Sequence, residues 1–106
     1  MGLLTDRLLQ EVKSAVRRLE PGASIKLYGS RSRAEAGPES DWNFLILVDK
    51  PVSEQRAGAI RHQFYEIEWT HGEVLNAVVR SREEWDSPLY QAMPFRWNVE
   101  REGLLL

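Results

Sequence analysis

The stretch Leu27–Val48, which reads LYGSRSRAEAGPESDWNFLILV, decides the fold of this 106-residue chain. It starts at the end of one apolar segment, passes through Gly29-Ser30, and finishes in the nearly continuous apolar run Asn43–Val48. A run of this kind is typical of a central strand that is covered on both faces. The stretch therefore predicts two strands of one sheet, joined by a polar connection.

The elements around this stretch follow from apolar periodicity and from turn residues. Helical spacing predicts an amphipathic helix over residues 5–19, which Pro21-Gly22 ends. The other predicted elements are a strand at 24–28, a short helical piece at 31–36, a long helix from Ser53 to His71-Gly72, a strand at 74–80, a short helix opened by Ser81 to Glu84, and a final helix at 95–102 with Gly103 as its C-cap. The order α-β-α-β-α-β-α predicts one domain, residues 1–106, of mixed α/β (α+β) class with a small mixed β-sheet flanked by helices.

Composition excludes several classes of function. The 14 basic and 16 acidic residues leave a formal charge of −2, which argues against non-specific binding to nucleic acid. No apolar run approaches the roughly 20 residues that span a bilayer. The absence of cysteine excludes disulfides and thiolate metal sites. Because the N-terminus also lacks the features of a signal peptide, we expect a cytoplasmic protein.

The turn after the first strand has the residues of a phosphate site. Gly29 permits a sharp turn and leaves the backbone amides accessible, and Ser30 adds a hydroxyl donor. If residues 31–36 are helical, the amides at their start favour a phosphate group. Arg31 and Arg33 add positive charge, although both are equally well explained as solvated side chains.

The second strand begins with polar side chains. Asp41 and Asn43 are two residues apart and therefore face the same side of an extended chain. Oxygen ligands of this type suit Mg²⁺, which is usually bound by a few carboxylates together with substrate phosphates. The plainer alternatives are that Asp41 caps a turn and that Asn43 is an ordinary strand-end residue.

Gly29-Ser30, a ten-residue spacer and then Asp41-Trp42-Asn43 resemble the signature of the polymerase-beta-type nucleotidyltransferases. The run Gly29–Arg33 and the Ser40-Asp41 pair are most similar to the minimal nucleotidyltransferases of bacteria and archaea, which are single small domains. The resemblance implies that Gly29 and Ser30 bind the phosphates of an NTP. It also implies that paired carboxylates hold two Mg²⁺ ions, and that a third carboxylate on the next strand helps to activate the attacking hydroxyl.

The sequence departs from that signature on the metal side. Asn43 stands in the place of the second aspartate. On the following strand, alternation makes Asn76 the short polar candidate for the third position, with Glu73 as an alternative just before the strand. An amide oxygen can bind a metal ion but cannot accept a proton as a carboxylate does. We therefore expect a nucleotidyltransferase fold with weakened or lost catalysis.

Two functions remain open from the sequence. The first is nucleotidyl transfer to an acceptor supplied in trans. The resemblance implies a helical HEPN-type protein, in some cases as part of a toxin–antitoxin pair, or alternatively a small molecule. The second is a catalytically inactive binding module or antitoxin-like partner. Exposed apolar residues would serve such a partner or a homodimer, and the candidates are Trp85, Leu89, Tyr90, Trp97 and the tail Leu104–Leu106.

Overall fold

A computed structural model of the protein describes residues 3–33, Gly37 and 40–106, with side chains from Asp6 onward. The elements in chain order are α1 (Leu3–Leu19), β1 (Ser24–Tyr28), β2 (Trp42–Val48), α2 (Glu54–His71), β3 (Leu75–Ser81), α3 (Arg82–Trp85), α4 (Pro88–Gln91), α5 (Pro94–Glu102) and β4 (Leu104–Leu105). The predicted strands and long helices are confirmed with small shifts of their ends. Within the described residues, no helix has the length and apolar character needed to cross a membrane.

The four strands form one mixed sheet in the order β3-β2-β1-β4. β1 is antiparallel to both β2 and β4, whereas β3 is parallel to β2. A parallel pair requires a long crossover connection, and α2 supplies it between the end of β2 and the start of β3. The predicted architecture, a small mixed sheet flanked by helices, is confirmed.

β2 lies in the middle of this sheet between two apolar cores. Phe44 and Ile46 point toward α1 and α2, while Leu45 points to the opposite face, toward α3 and α5. All three side chains are 0% exposed. The prediction of a strand covered on both faces is therefore correct, and polar side chains are confined to the ends of the strand.

The predicted helix caps are also present. The Ser53 hydroxyl accepts a hydrogen bond from the Arg56 amide at the start of α2, and Gly72 ends the helix with a left-handed φ of 67°. The Ser81 hydroxyl accepts from the Glu84 amide at 3.1 Å and opens α3. These side chains satisfy backbone groups that a helix end leaves without partners.

Trp85 is not part of an exposed apolar surface, contrary to expectation. It is 2% exposed and packs in the smaller core under α5, beside Phe95. Leu89 and Trp97 remain exposed, at 72% and 62%. A four-residue helix such as α3 is too short for periodicity to show which of its side chains turns inward.

The backbone of the C-terminal tail is paired with the sheet, while Leu104 and Leu105 keep exposed side chains, at 45% and 69%, as expected. Leu104 and Leu105 form β4 and pair with β1, and the Leu106 amide donates to the Ile25 carbonyl at 2.9 Å. Gly103 ends α5 as predicted, but with an extended backbone rather than a left-handed one. A Cβ at Gly103 would lie 2.5 Å from the Val99 carbonyl oxygen, so glycine is needed there for a close approach.

Glu100 fastens α5 to the sheet and to α3. Its carboxylate accepts from Trp85 Nε1 at 2.7 Å and from Lys26 Nζ at 3.1 Å. The bond from Trp85, with the further contribution of Lys26, holds the pKa of Glu100 below its ordinary value of 4.5. A carboxyl group with a lowered folded-state pKa stabilises the fold above its unfolded-state pKa, and this stabilisation is lost as pH falls through the folded-state pKa.

We predict that Glu100→Gln lowers the free energy of unfolding at neutral pH, because the amide cannot accept an ionic bond from Lys26. The difference between this variant and the wild type should shrink as pH falls from about 6 to about 3, where the wild-type carboxyl becomes protonated. Urea unfolding at several pH values measures it. Glu83→Gln, at an exposed glutamate on α3, controls for the change in net charge. A difference that stays constant with pH would contradict the prediction.

Candidate functional site

Three strands bring the predicted site residues together at one end of the sheet. Tyr28, the last residue of β1, is opposite Asn43, and Asn43 is in turn opposite Asn76 on β3. Gly29 follows Tyr28 directly, so it lies next to Asn43. Asp41 precedes β2 by one residue, and the glycine turn, the aspartate and the two asparagines therefore form one cluster.

The turn at Gly29 is closed by its own hydrogen bonds. The Ser32 amide donates to the Gly29 carbonyl at 3.0 Å, and the Arg33 amide donates to the Ser30 carbonyl at 3.1 Å. Residues 31–33 are thus consecutive turns and not the start of a helix, as had been predicted for 31–36; residues 34–36 lie outside the described residues. A helix N-terminus therefore does not contribute to phosphate binding in the described part of this connection.

Gly29 is required here for two reasons. Its φ of 84° lies in the left-handed region, which side chains disfavour. A Cβ at this position would also stand 2.9 Å from Asn43 Nδ2. The glycine and the Asn43 amide are therefore fitted to each other.

The two asparagines and Asp41 form a hydrogen-bonded cluster. Asn76 Nδ2 donates to Asn43 Oδ1 at 3.0 Å, and it lies 3.4 Å from Asp41 Oδ2. One amide nitrogen thus approaches both of the oxygens that were predicted to bind a metal. The cluster carries a single negative charge, that of Asp41.

Glu73 does not belong to this cluster. Its carboxylate accepts from the Trp42 indole at 3.3 Å and lies 3.6 Å from Arg31 Nη2. Of the two candidates for the third position, Asn76 is the one that the structure places beside Asp41 and Asn43.

Arg31 holds the connection between β1 and β2. Its guanidinium donates twice to the Ser40 carbonyl, at 2.9 and 3.2 Å, and stacks 4.2 Å above the Trp42 ring. The side chain is only 16% exposed. These contacts hold Ser40, the residue that precedes Asp41, in place. The sequence pattern did not reveal this positioning role, because the partners of Arg31 come from two separate segments, Ser40–Trp42 and Glu73.

Arg33 is the more accessible of the two arginines. Its side chain is 38% exposed and forms an ion pair with Glu102 on α5 at 2.8 Å. The hydrogen bond from Arg33 is the main cause of the lowered pKa of Glu102. Positive charge therefore lies near the turn, but it is already paired with an acidic residue.

The donor set of the cluster fits one magnesium ion that brings phosphate ligands with it, and it does not fit two. Mg²⁺ can be held by one or two carboxylates together with phosphates, and Asp41 meets the lower requirement. Two ions need several carboxylates to balance their charge, whereas Asn43 and Asn76 are neutral. Within the described residues, no group of three or more histidine, cysteine, aspartate or glutamate side chains is arranged to hold a metal.

Comparison with known proteins bears on the family and the fold of the chain. A family model described as a nucleotidyltransferase domain matches residues 9–93, which include Gly29, Asp41 and Asn76. A solved structure assigned as a minimal nucleotidyltransferase superposes with a TM-score of 0.64 over 100% of this chain and 97% of that chain. Its sequence identity of 24% supports a shared fold. No curated protein matches the chain.

We predict that Gly29→Ala destabilises the protein more than Gly72→Ala does. Both glycines have positive φ, so both variants incur a backbone cost of about 1–2 kcal/mol. Nothing lies within 4 Å of a Cβ at Gly72, whereas a Cβ at Gly29 meets the Asn43 amide. The extra loss at Gly29 therefore measures this contact, and chemical denaturation of both variants gives the comparison.

A double variant provides the control. Combining Gly29→Ala with Asn43→Ala removes the obstructing amide, so the two changes should cost less together than the sum of their separate costs. Equal losses for the two glycine variants, or strictly additive losses in the double variant, would show that the Gly29–Asn43 contact is unimportant.

Proposed function

The chain belongs to the nucleotidyltransferase domain family, and on this premise we propose that it is a nucleotide-binding member in which nucleotidyl transfer is weak. In this proposal, Gly29 and Ser30 receive the phosphates of an NTP, and Asp41 binds one Mg²⁺ that arrives with the nucleotide. The observation that carries the proposal is the make-up of the cluster. Asn76 donates hydrogen bonds to Asn43 and Asp41, and of these three residues only Asp41 has a carboxylate.

The residue types of the turn support phosphate binding. Gly29 has no side chain, and the hydroxyl of the partly buried Ser30 has no hydrogen-bond partner among the described residues. Backbone amides and a hydroxyl beside a glycine are common ligands of phosphate oxygens. Arg33 would add charge by exchanging Glu102 for phosphate, while Arg31 would act by holding the connection in place.

The residues on the metal side account for weak transfer. When bound, Mg²⁺ would neutralise charge on the phosphate oxygens. The protein would contribute the Asp41 carboxylate and, as a neutral ligand, the amide oxygen of Asn43. Neither Asn43 nor Asn76 can accept the proton of an attacking hydroxyl, and the loss of a general base typically costs about 10²–10⁴ in rate.

The acceptor in this proposal is a separate molecule, as the resemblance to minimal nucleotidyltransferases implies. The acceptor that this resemblance suggests is a helical HEPN-type protein. The same amide cluster favours a second candidate function, an antitoxin-like module that binds its partner without modifying it. The two functions differ in one measurable property, which is whether label from an NTP is transferred to the acceptor.

We predict that Asn43→Asp combined with Asn76→Asp strengthens Mg²⁺-dependent ATP binding and raises pyrophosphate release by about 10² or more. Two added carboxylates increase the negative charge from one to three and restore a proton acceptor. Without Mg²⁺, the same variant should lose thermal stability because like charges then adjoin one another, and Mg²⁺ should restore it. Titration calorimetry, a pyrophosphate assay and thermal melts with and without Mg²⁺ measure these effects.

Asn98→Asp is the matched control, because it adds a carboxylate at an exposed position on α5. It should change neither ATP binding nor pyrophosphate release. Asp41→Asn should abolish the Mg²⁺ dependence of binding. Wild-type protein that binds Mg-ATP and releases pyrophosphate as well as the double variant does would overturn the proposal of weak transfer. Undetectable ATP binding by the wild type would overturn the nucleotide-binding role.

A further inference from the structure

β3 is an edge strand whose outer side is open. It is the first strand in the order β3-β2-β1-β4 and is hydrogen-bonded to β2 alone among the strands of the described chain. An open strand edge presents unpaired N–H and C=O groups, and proteins usually protect such edges with charged side chains, proline or a covering segment.

The register shows which groups of β3 face outward. The Trp42 amide donates to the Val74 carbonyl at 2.8 Å, so the backbone groups of Val74, and of every second residue after it, face β2. The backbone groups of Leu75, Ala77 and Val79 therefore face away from the sheet. Two side-chain contacts agree with this assignment, because Glu68 and Arg80 each bind one of these outward groups.

Glu68 and Arg80 cover only the ends of the open edge. The Glu68 carboxylate accepts from the Leu75 amide at 2.8 Å, and Arg80 Nη1 donates to the Val79 carbonyl at 2.8 Å. Four groups between these two ends have no hydrogen-bond partner within the described residues. They are the Leu75 carbonyl, the amide and carbonyl of Ala77, and the Val79 amide.

Exposed aromatic side chains lie on α2, the helix whose Glu68 reaches this edge. Tyr65 and Trp69 are one turn apart on α2 and are 67% and 92% exposed. They flank Glu68, whose carboxylate reaches the outer side of β3. The adjoining Val74, just before the strand, is 51% exposed. Exposed apolar side chains are thus present on the helix that adjoins the open edge and at the residue that precedes the strand.

We propose that a second copy of this chain pairs with the first through antiparallel β3 strands, centred on Ala77. In this register Ala77 lies opposite Ala77, and Leu75 lies opposite Val79. The four unpaired groups are then complementary: each Ala77 amide meets the carbonyl of Ala77 in the other copy, and each Val79 amide meets the carbonyl of Leu75. An interface that uses the same patch twice is the form expected of a two-fold symmetric dimer.

The charges at the edge suit the same register. Glu68 lies at Leu75 and Arg80 lies at Val79, and these two positions are opposite each other across the dimer axis. When the Val79 amide of one copy bonds the Leu75 carbonyl of the other, the Leu75 amide and the Val79 carbonyl also face each other. Glu68 and Arg80 then leave these two groups for the border of the paired strands, where a carboxylate of one copy adjoins a guanidinium of the other. Pairing a foreign extended peptide would satisfy the backbone groups equally well but would not by itself provide this reciprocal match of charges.

The aromatic residues supply area for such a dimer. A buried aromatic side chain removes roughly 150–250 Å² from water, so Tyr65 and Trp69 of both copies would provide about half of the roughly 1,600 Å² of a standard interface. The inference does not depend on nucleotide binding, because none of these side chains belongs to the cluster around Asp41.

The test is the mass of the full chain in solution, by sedimentation equilibrium over concentrations from about 1 to about 200 µM. We expect twice the chain mass of 12.3 kDa at the upper end. Ala77→Pro removes an outward amide without breaking a bond to β2, and Trp69→Lys places a charge in the interface. Each should raise the dissociation constant by about tenfold or more. Trp97→Lys, at an exposed tryptophan on α5, should leave it unchanged.

A direct readout of the strand pairing is amide exchange followed by NMR. The amides of Ala77 and Val79 should exchange more slowly as protein concentration rises, whereas those of Asn76 and Val78 are bonded to β2 and should not depend on concentration. A wild-type chain that stays monomeric throughout would overturn the proposal. A dimer that Trp69→Lys leaves intact, or one without concentration-dependent protection of Ala77, would assign association to another surface. Trp69→Lys keeps the test decisive if Ala77→Pro does not fold.

Discussion

The burial of β2 on both faces is the constraint on which the rest of this structure depends. Phe44, Leu45 and Ile46 are fully enclosed, and a strand without water on either side tolerates polar groups only at its ends. The helices divide into two layers because each face needs its own cover. For the same reason, the polar residues Asp41 and Asn43 lie at the start of the strand, where the sheet meets solvent.

The cluster at that end of the strand is stabilised without a metal ion. A row of carboxylates on adjoining strands would repel one another without a cation, and bound metal would be part of their stability. Here the amides of Asn43 and Asn76 replace that repulsion with a hydrogen bond, and Gly29 is fitted against one of them. The site is therefore compatible with a stable metal-free fold. In the proposed function, a nucleotidyltransferase domain keeps the Gly29-Ser30 turn for phosphate while its metal side is weakened.

The two edge strands of the sheet differ in length and in how their outward backbone groups are covered. The C-terminal tail pairs with β1 as β4, so that edge ends in a two-residue strand, which is too short to recruit another chain. At the other edge, Glu68 and Arg80 bind one outward group each and leave the centre of β3 unpaired. The open centre of β3 makes that edge, rather than the β4 edge, the candidate for sheet-to-sheet association.

The sequence alone determined the long helices, the three main strands, the mixed fold class and the residues of the candidate site. Each of these depends on local periodicity or on residue types at short spacing, such as Gly29-Ser30 and Asp41 with Asn43. Tertiary structure decided what sequence spacing does not encode. Tertiary structure places Asn76, and not Glu73, beside Asp41 and Asn43, and it buries Trp85. It also pairs the C-terminal tail with β1 and brings the Arg31 guanidinium to the Ser40 carbonyl. These outcomes depend on partners from distant segments, whose positions exist only once the sheet and its two helical layers have assembled.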